Sequence, residues 1–193
     1  AVLPGKVHTI AMPSADIAVL HVDLSVIPAA YLDACRSYAL VVNGAATDIR
    51  KRRVSRNLVT PDDGWAGPVI IKTDLNYQGI PEARVIDALR RDGRPVDFVS
   101  GPVVFTQQPY PILRSVRDVP DAAWSNQGLV VERFLPERDE RGYWLRVWVF
   151  FGEQERCSRL CGRAPIVKAA DIIAYEPAPV PDELRAERER LGF

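Results

Sequence analysis

Several residue types are scarce in this chain of 193 residues, and each scarcity excludes a class of protein. It holds one methionine, two histidines and three cysteines, Cys35, Cys157 and Cys161. A small, odd number of cysteines makes no disulfide framework, so free thiols and a cytoplasmic location are expected. Long apolar runs are absent: Val147 to Phe151, among the longest, is about a quarter of the roughly 20 residues a membrane helix needs. Residues 1–15 carry no charged region followed by an apolar stretch, so no signal peptide is expected. An excess of either charge is also lacking, with 25 basic and 25 acidic residues and a net charge of zero. That balance disfavours a broad footprint on nucleic acid or an anionic membrane. Lysine is the rarer cation: among the 25 basic residues only Lys6, Lys51, Lys72 and Lys168 are lysine. Arginine therefore carries the general surface charge, and each lysine stands out.

What remains is a globular composition, 47% hydrophobic and 26% charged. The length fits one domain or a small two-lobed one. Ile17 to Val22 predicts a buried strand, Pro28 to Tyr38 a helix with proline at its first turn, and Ala39 to Val42 a second buried strand ended by the turn pair Asn43-Gly44. Together they predict a βαβ unit. Pro68 to Thr73 predicts a β-branched strand, Asn76 to Pro81 a loop, Glu82 to Arg91 a helix, Val103 to Phe105 a strand, Pro109 to Pro111 a turn and Val119 to Trp124 a short helix. Leu129 to Phe134 and Tyr143 to Phe151 predict strands, with Glu155 to Leu160 returning after a hairpin at Gly152-Glu153. Tyr143, Leu145, Val147, Val149 and Phe151 share one face of the long strand; Trp144, Arg146, Trp148 and Phe150 share the other. Ala164 to Ile173 is ambiguous, and Asp182 to Leu191 predicts a charged helix. The fold class expected is α+β, in two lobes joined near residue 128.

Chemistry can sit at few places. Lys72 ends an otherwise apolar strand, where its ammonium either meets an anion such as a nucleotide phosphate or snorkels to water. Asn76 to Gly79 follows directly, and is either a phosphate-cradling loop or a surface turn. Arg146, between Trp144 and Trp148, suits a cation–π stack or a phosphate contact. Glu132 is an acid at the end of an apolar strand, or a solvent-facing position on a half-buried one. The run Arg50 to Arg53 with Arg56 is a nucleic-acid patch or an ordinary solvated stretch. Cys157 and Cys161, with no histidine nearby, read as strand residues on a hairpin rather than metal ligands. His21 reads as a core histidine. No Ser/His/Asp order, P-loop or Rossmann glycine fingerprint occurs.

Taken in order, the segments NGAATDIRKRRVS, GPVIIKTDLNYQGIPE and GLVVERFLPERDERGYWLRVWVFFG, between Asn43 and Gly162, resemble the ATP-grasp family, which includes glutathione synthetase and D-alanine–D-alanine ligase. The resemblance implies an ATP-grasp-like fold: residues 1–44 as the remnant of a substrate-side domain, 45–127 as the N-lobe and 128–193 as part of the C-lobe, with a nucleotide cleft between the lobes. It implies an ATP-dependent ligase that joins a small carboxylate to an amine or thiol through an acyl phosphate. Lys51 and Lys72 would be the two nucleotide lysines, and Asn76, Tyr77, Gln78 and Gly79 the loop over the phosphates. Glu132 would sit by the adenine amino group, with backbone groups of Arg133 and Leu135 reading the base. Glu137, Asp139 or Glu140 would reach the ribose, and Arg146 would contact the transferring phosphate or acyl phosphate. Mg²⁺ is implied as well, but the family carries its metal ligands on strands beyond the point matching Phe193, so no ligands for it are expected in these residues. The family has a glycine pair where this chain has Gln78-Gly79. Members are often dimers, which makes a homodimer an expectation; neither nucleic acid nor membrane is an expected partner. The alternatives are a non-catalytic ATP-grasp-like domain acting through protein contacts and, more remotely, a nucleic-acid module using the Arg50 to Arg56 run.

Overall fold

The computed structural model describes residues 14–96, 101–104 and 110–192, which form two compact units divided after Arg133. The architecture is α+β. In the first unit β1 (Ile17–Val19), α1 (Ala29–Cys35) and β2 (Leu40–Val42) make the expected βαβ unit, with the strands parallel. Both strands differ from expectation in burial: Ile17, Val19 and Leu40 are 54%, 60% and 54% exposed. Alternation sends every second side chain outward, and the face carrying Ala18 and Val41 is the one that packs, among the described residues, with Leu20, Ile27 and Cys35. His21, expected in the core, is exposed, because the strand ends at Val19. Asn43, with φ 62°, takes the left-handed position of the predicted turn, which asparagine tolerates.

The chain then pairs back on itself. Ile27 N–H donates to Thr47 O at 2.9 Å and Ile49 N–H to Ser25 O at 2.8 Å, which delivers the chain into the short helix α2 (Lys51–Val54). Next come β3 (Val69–Thr73), a 3₁₀ turn over Asn76–Gly79, α3 (Ile80–Arg91), β4 (Ile112–Leu113), α4 (Asp121–Ser125) and β5 (Leu129–Arg133). The sheet order is β4-β3-β5, antiparallel throughout. β3 and β5 are almost wholly buried, and Val69, Ile71 and Val131 pack with Val59, Val116, Val119 and Ala123. α3 begins before the expected Glu82, because Pro81 is tolerated in a first turn and Gly79 turns the chain into it. Val103 and Val104, expected in a strand, have no regular structure, and Phe105 lies outside the described residues. Pro109 of the expected turn lies outside them too. The division falls after Arg133 rather than near 128 because β5 pairs residue by residue with β3.

The second unit is one antiparallel sheet, β6-β7-β8-β9, and a helix. β6 (Glu137–Asp139), β7 (Gly142–Phe151), β8 (Gln154–Gly162) and β9 (Ile172–Pro177) are followed by α5 (Asp182–Leu191). The ambiguous stretch 164–173 resolves into a 3₁₀ turn, Ala169–Asp171, and the start of β9. The β7–β8 hairpin turns at Gly152, as expected. Gly142 is a true requirement: its φ is 148°, and a Cβ there would lie 2.5 Å from Gly162 O. α5 approaches the Phe150 side of β7, where Arg188 lies 4.2 Å from the Phe150 ring centroid and Arg185 pairs with Glu155 at 2.6 Å. Leu145, Val147, Val149 and Phe151 point the other way and are exposed. No helix among the described residues is long and apolar enough to cross a membrane.

Candidate nucleotide site

β3 is the central strand of its sheet, and Lys72 stands on the face opposite Val69 and Ile71. Register places Lys72 opposite Val130 and Ile70 opposite Glu132, so Lys72 and Glu132 are diagonal neighbours on one face. Their ammonium and carboxylate meet at 2.7 Å, with the Glu132 side chain 8% exposed. The anion that satisfies Lys72 is thus Glu132, and the glutamate is buried rather than solvent-facing.

Lys51 enters from α2. Its Nζ donates to Leu75 O at 2.7 Å, and its N–H to Asp74 O at 2.9 Å. Burial, and then the neighbouring Lys72 charge, hold the Lys51 ammonium below its usual pKa, while Glu132, Asp74 and Glu82 pull the other way. Two lysines distant in sequence therefore share one charged neighbourhood. Asp74 fixes the approach of α2: its carboxylate accepts from Arg52 N at 2.9 Å and Arg52 Nε at 2.6 Å. Two members of the basic run are thereby engaged, Arg52 with Asp74 and Arg50 with Asp48 at 2.6 Å.

The loop after Lys72 turns through three successive left-handed residues: Tyr77 (φ 44°), Gln78 (φ 60°) and Gly79 (φ 71°). Successive backbone amides in such turns form anion-binding concavities. Glycine is needed at 79, where a Cβ would sit 2.8 Å from Leu75 Cδ1. The non-glycine residues at 77 and 78 store strain of order 1 kcal/mol each. Tyr77 projects outward, 66% exposed. The loop's first amide, Asn76 N–H, donates to Ser25 Oγ at 2.8 Å. Glu82, in the first turn of α3, is 1% exposed; its Oε1 accepts from Ser25 N at 2.6 Å, and its Oε2 has no hydrogen-bond partner among the described residues.

Arg133 is less available than expected. Its N–H donates to Asn57 O at 2.7 Å, so that amide is already engaged. Its guanidinium lies 5.3 Å from the Trp65 ring centroid and 3.6 Å from Asp63. Trp65 and Asp63 also line a cavity of about 600 Å³ with Asp62, Ser115 and Arg117, which contains none of the expected site residues.

The remaining expected residues lie in the second unit. Leu135 is exposed, as are Asp139 and Glu140 at the β6–β7 turn. Arg146 does not lie free between its tryptophans: Glu137 binds it through two oxygens, at 2.7 and 2.9 Å. Arg159, directly across the ladder from Arg146, reaches the same carboxylate at 2.6 Å and also pairs with Glu176. Burial raises the Glu137 pKa, but hydrogen bonds from Arg146 and Arg159 outweigh it and leave the carboxyl below its usual range. The Trp144 ring has Arg141 and Arg159 at 4.4 and 4.3 Å from its centroid, so the expected cation–π contact exists with other arginines.

Sequence reasoning missed Ser25, Asp74, Glu82 and Arg159. A serine between strand and helix and a glutamate in a helix's first turn are common on local grounds alone. Only their burial marks them, and burial is not written locally. Cys35, Cys157 and Cys161 are buried free thiols. Among the described residues no group of three or more His, Cys, Asp or Glu is placed to hold a metal ion. Set against protein-family models, curated proteins and solved structures, the chain has no match.

Proposed function

We propose that the chain is an ATP-binding protein of the ATP-grasp type, an ATP-dependent ligase joining a carboxylate to an amine or thiol. One observation carries the reading: Lys51 and Lys72 converge beside Glu132 at the base of the left-handed Asn76–Gly79 loop. Two partly desolvated ammonium groups beside a strained turn of backbone amides suit a polyphosphate, whose charge would offset the repulsion between the lysines.

In the reaction, a carboxylate oxygen of the substrate attacks the γ-phosphorus of ATP, and the bond to the β,γ-bridging oxygen breaks with release of ADP. The amine then attacks the acyl carbon, inorganic phosphate leaves, and the amine gives up a proton. Lys51 and Lys72 neutralise phosphate oxygens, and the loop amides orient them. Such transfer depends chiefly on positioning and charge neutralisation. Magnesium, implied by the resemblance, finds no fitting ligand set among the described residues. Unpaired thiols support a cytoplasmic setting.

A second reading, a nucleotide-binding but non-catalytic ATP-grasp-like domain, is favoured by the two-oxygen grip of Glu137 on Arg146. Thermal unfolding with and without ATP tests the common part. At about 100 times the dissociation constant ATP adds roughly 2.7 kcal/mol and raises the melting temperature. Lys72→Ala and Lys51→Ala, each measured against its own ligand-free melt, should lose that rise. An unshifted wild type ends the nucleotide reading. ADP release on adding carboxylates and amines then separates ligase from scaffold.

A further inference from the structure

We infer that Ser25, backed by Glu82, is a positioning residue that holds the Asn76–Gly79 loop in its phosphate-binding shape; this rests on the nucleotide reading above. Ser25 belongs to the segment between β1 and α1, remote in sequence from the loop. It is 1% exposed, and each of its polar groups is engaged. The hydroxyl oxygen accepts from Asn76 N at 2.8 Å, at the start of the loop. The N–H donates to Glu82 Oε1 at 2.6 Å, just past the loop's end. The carbonyl accepts from Ile49 N at 2.8 Å, close before Lys51. One serine thus pins both ends of the loop to the segment that delivers a nucleotide lysine.

The loop needs such a clamp. Tyr77 and Gln78 occupy left-handed backbone positions that persist only when their surroundings over-determine them. Lys51 joins the same arrangement through Leu75 O, the residue before the loop. Loosening the loop therefore displaces its amides and frees the Lys51 ammonium together, and both act on phosphate rather than on the base.

The test is calorimetric titration of ATP and, separately, of adenosine, which has no phosphate. Ser25→Ala keeps both main-chain bonds of Ser25 and removes only the acceptor for Asn76 N–H. It should weaken ATP by up to about tenfold, the effect of one part-buried hydrogen bond lost, and leave adenosine unchanged. Glu82→Ala should do the same, Glu82→Gln, which keeps an oxygen acceptor, should recover most of the loss, and the double variant Ser25→Ala/Glu82→Ala should lose less than the two singles combined. ATP affinity unchanged in Ser25→Ala overturns the inference. So does an equal weakening of ATP and adenosine, which is the mark of a merely structural serine. A wild type that binds ATP no better than adenosine overturns the nucleotide reading itself and this inference with it, and is recognised before any variant is made.

Discussion

The two sheets reach stability by different chemistry. In β4-β3-β5 the central strand is apolar apart from Lys72, which pairs with Glu132 on the neighbouring strand. In β6-β7-β8-β9 the face toward α5 is a lattice of charges, with Arg141, Arg146 and Arg159 bridged by Glu137, Asp139 and Glu176. Its other face leaves Leu145, Val147, Val149 and Phe151 exposed. A partly buried ion pair on an apolar strand, with a second lysine beside it, is strong grounds for a site, because apolar packing does not explain it. An arginine with neighbours of both signs is weaker grounds, because the lattice already accounts for it. Lys72 is therefore a better guide to function than Arg146.

That contrast can be broken by mutation, beginning with the core. Ile71→Ala, at a position 6% exposed, should cost about 3–4 kcal/mol, whereas Val149→Ala, at 64%, should stay within roughly 0.5 kcal/mol. Denaturant unfolding read separately on each unit checks both. Equal losses would mean that the open face of the second sheet is covered in solution.

The ion pair comes next. Lys72→Met should cost about 3 kcal/mol, because it strands a carboxylate 8% exposed; adding Glu132→Leu should restore most of that. A double variant as unstable as the single would show that the pair is integral to packing rather than a charge held for a ligand. Smaller again, Gly79→Ala should cost about 1–2 kcal/mol from its left-handed φ, with the Leu75 contact adding to it.

The lattice of the second unit should give the smallest single effects and a pH signature instead. Glu137, Glu155 and Glu176 all have carboxyl pKa values lowered in the folded chain. Their stabilisation is complete above the ordinary glutamate value of 4.5 and is lost as pH falls through the lower folded values. Glu137→Gln should flatten that acid limb and change stability near neutrality by less than about 1 kcal/mol. Melting followed between about pH 6 and pH 2 checks the sign; an unaltered limb would remove Glu137 from the lattice.

Much of the fold was legible from local pattern. The βαβ unit, the Asn43-Gly44 turn, β3, β5 and the β7–β8 hairpin all follow from β-branched runs, turn pairs and strict alternation. What failed, failed for want of a second layer. Ile17 and Val19 read as buried because they are apolar, and His21 because of its neighbours, but among the described residues no packed element covers those faces. Val103 and Val104 have strand composition but pair with no strand among the described residues.

The same divide runs through the candidate site. Lys72, Glu132 and the Asn76–Gly79 turn stood out because a charge in an apolar strand and a glycine-bearing turn are local anomalies, whereas Lys51, inside a basic run, entered only through the family resemblance. The sequence determined which residue types were available and where the chain had to extend, coil or turn, since dihedral preference and side-chain periodicity act over a few neighbours. Only the tertiary structure decided their partners: Glu132 for Lys72, the Leu75 carbonyl for Lys51, Ser25 for the loop and Glu137 for Arg146. The reason is physical. A buried polar group must be satisfied by whichever complementary atom the packed chain brings within about 3 Å, and that distance is set by register and layer contacts between segments remote in sequence.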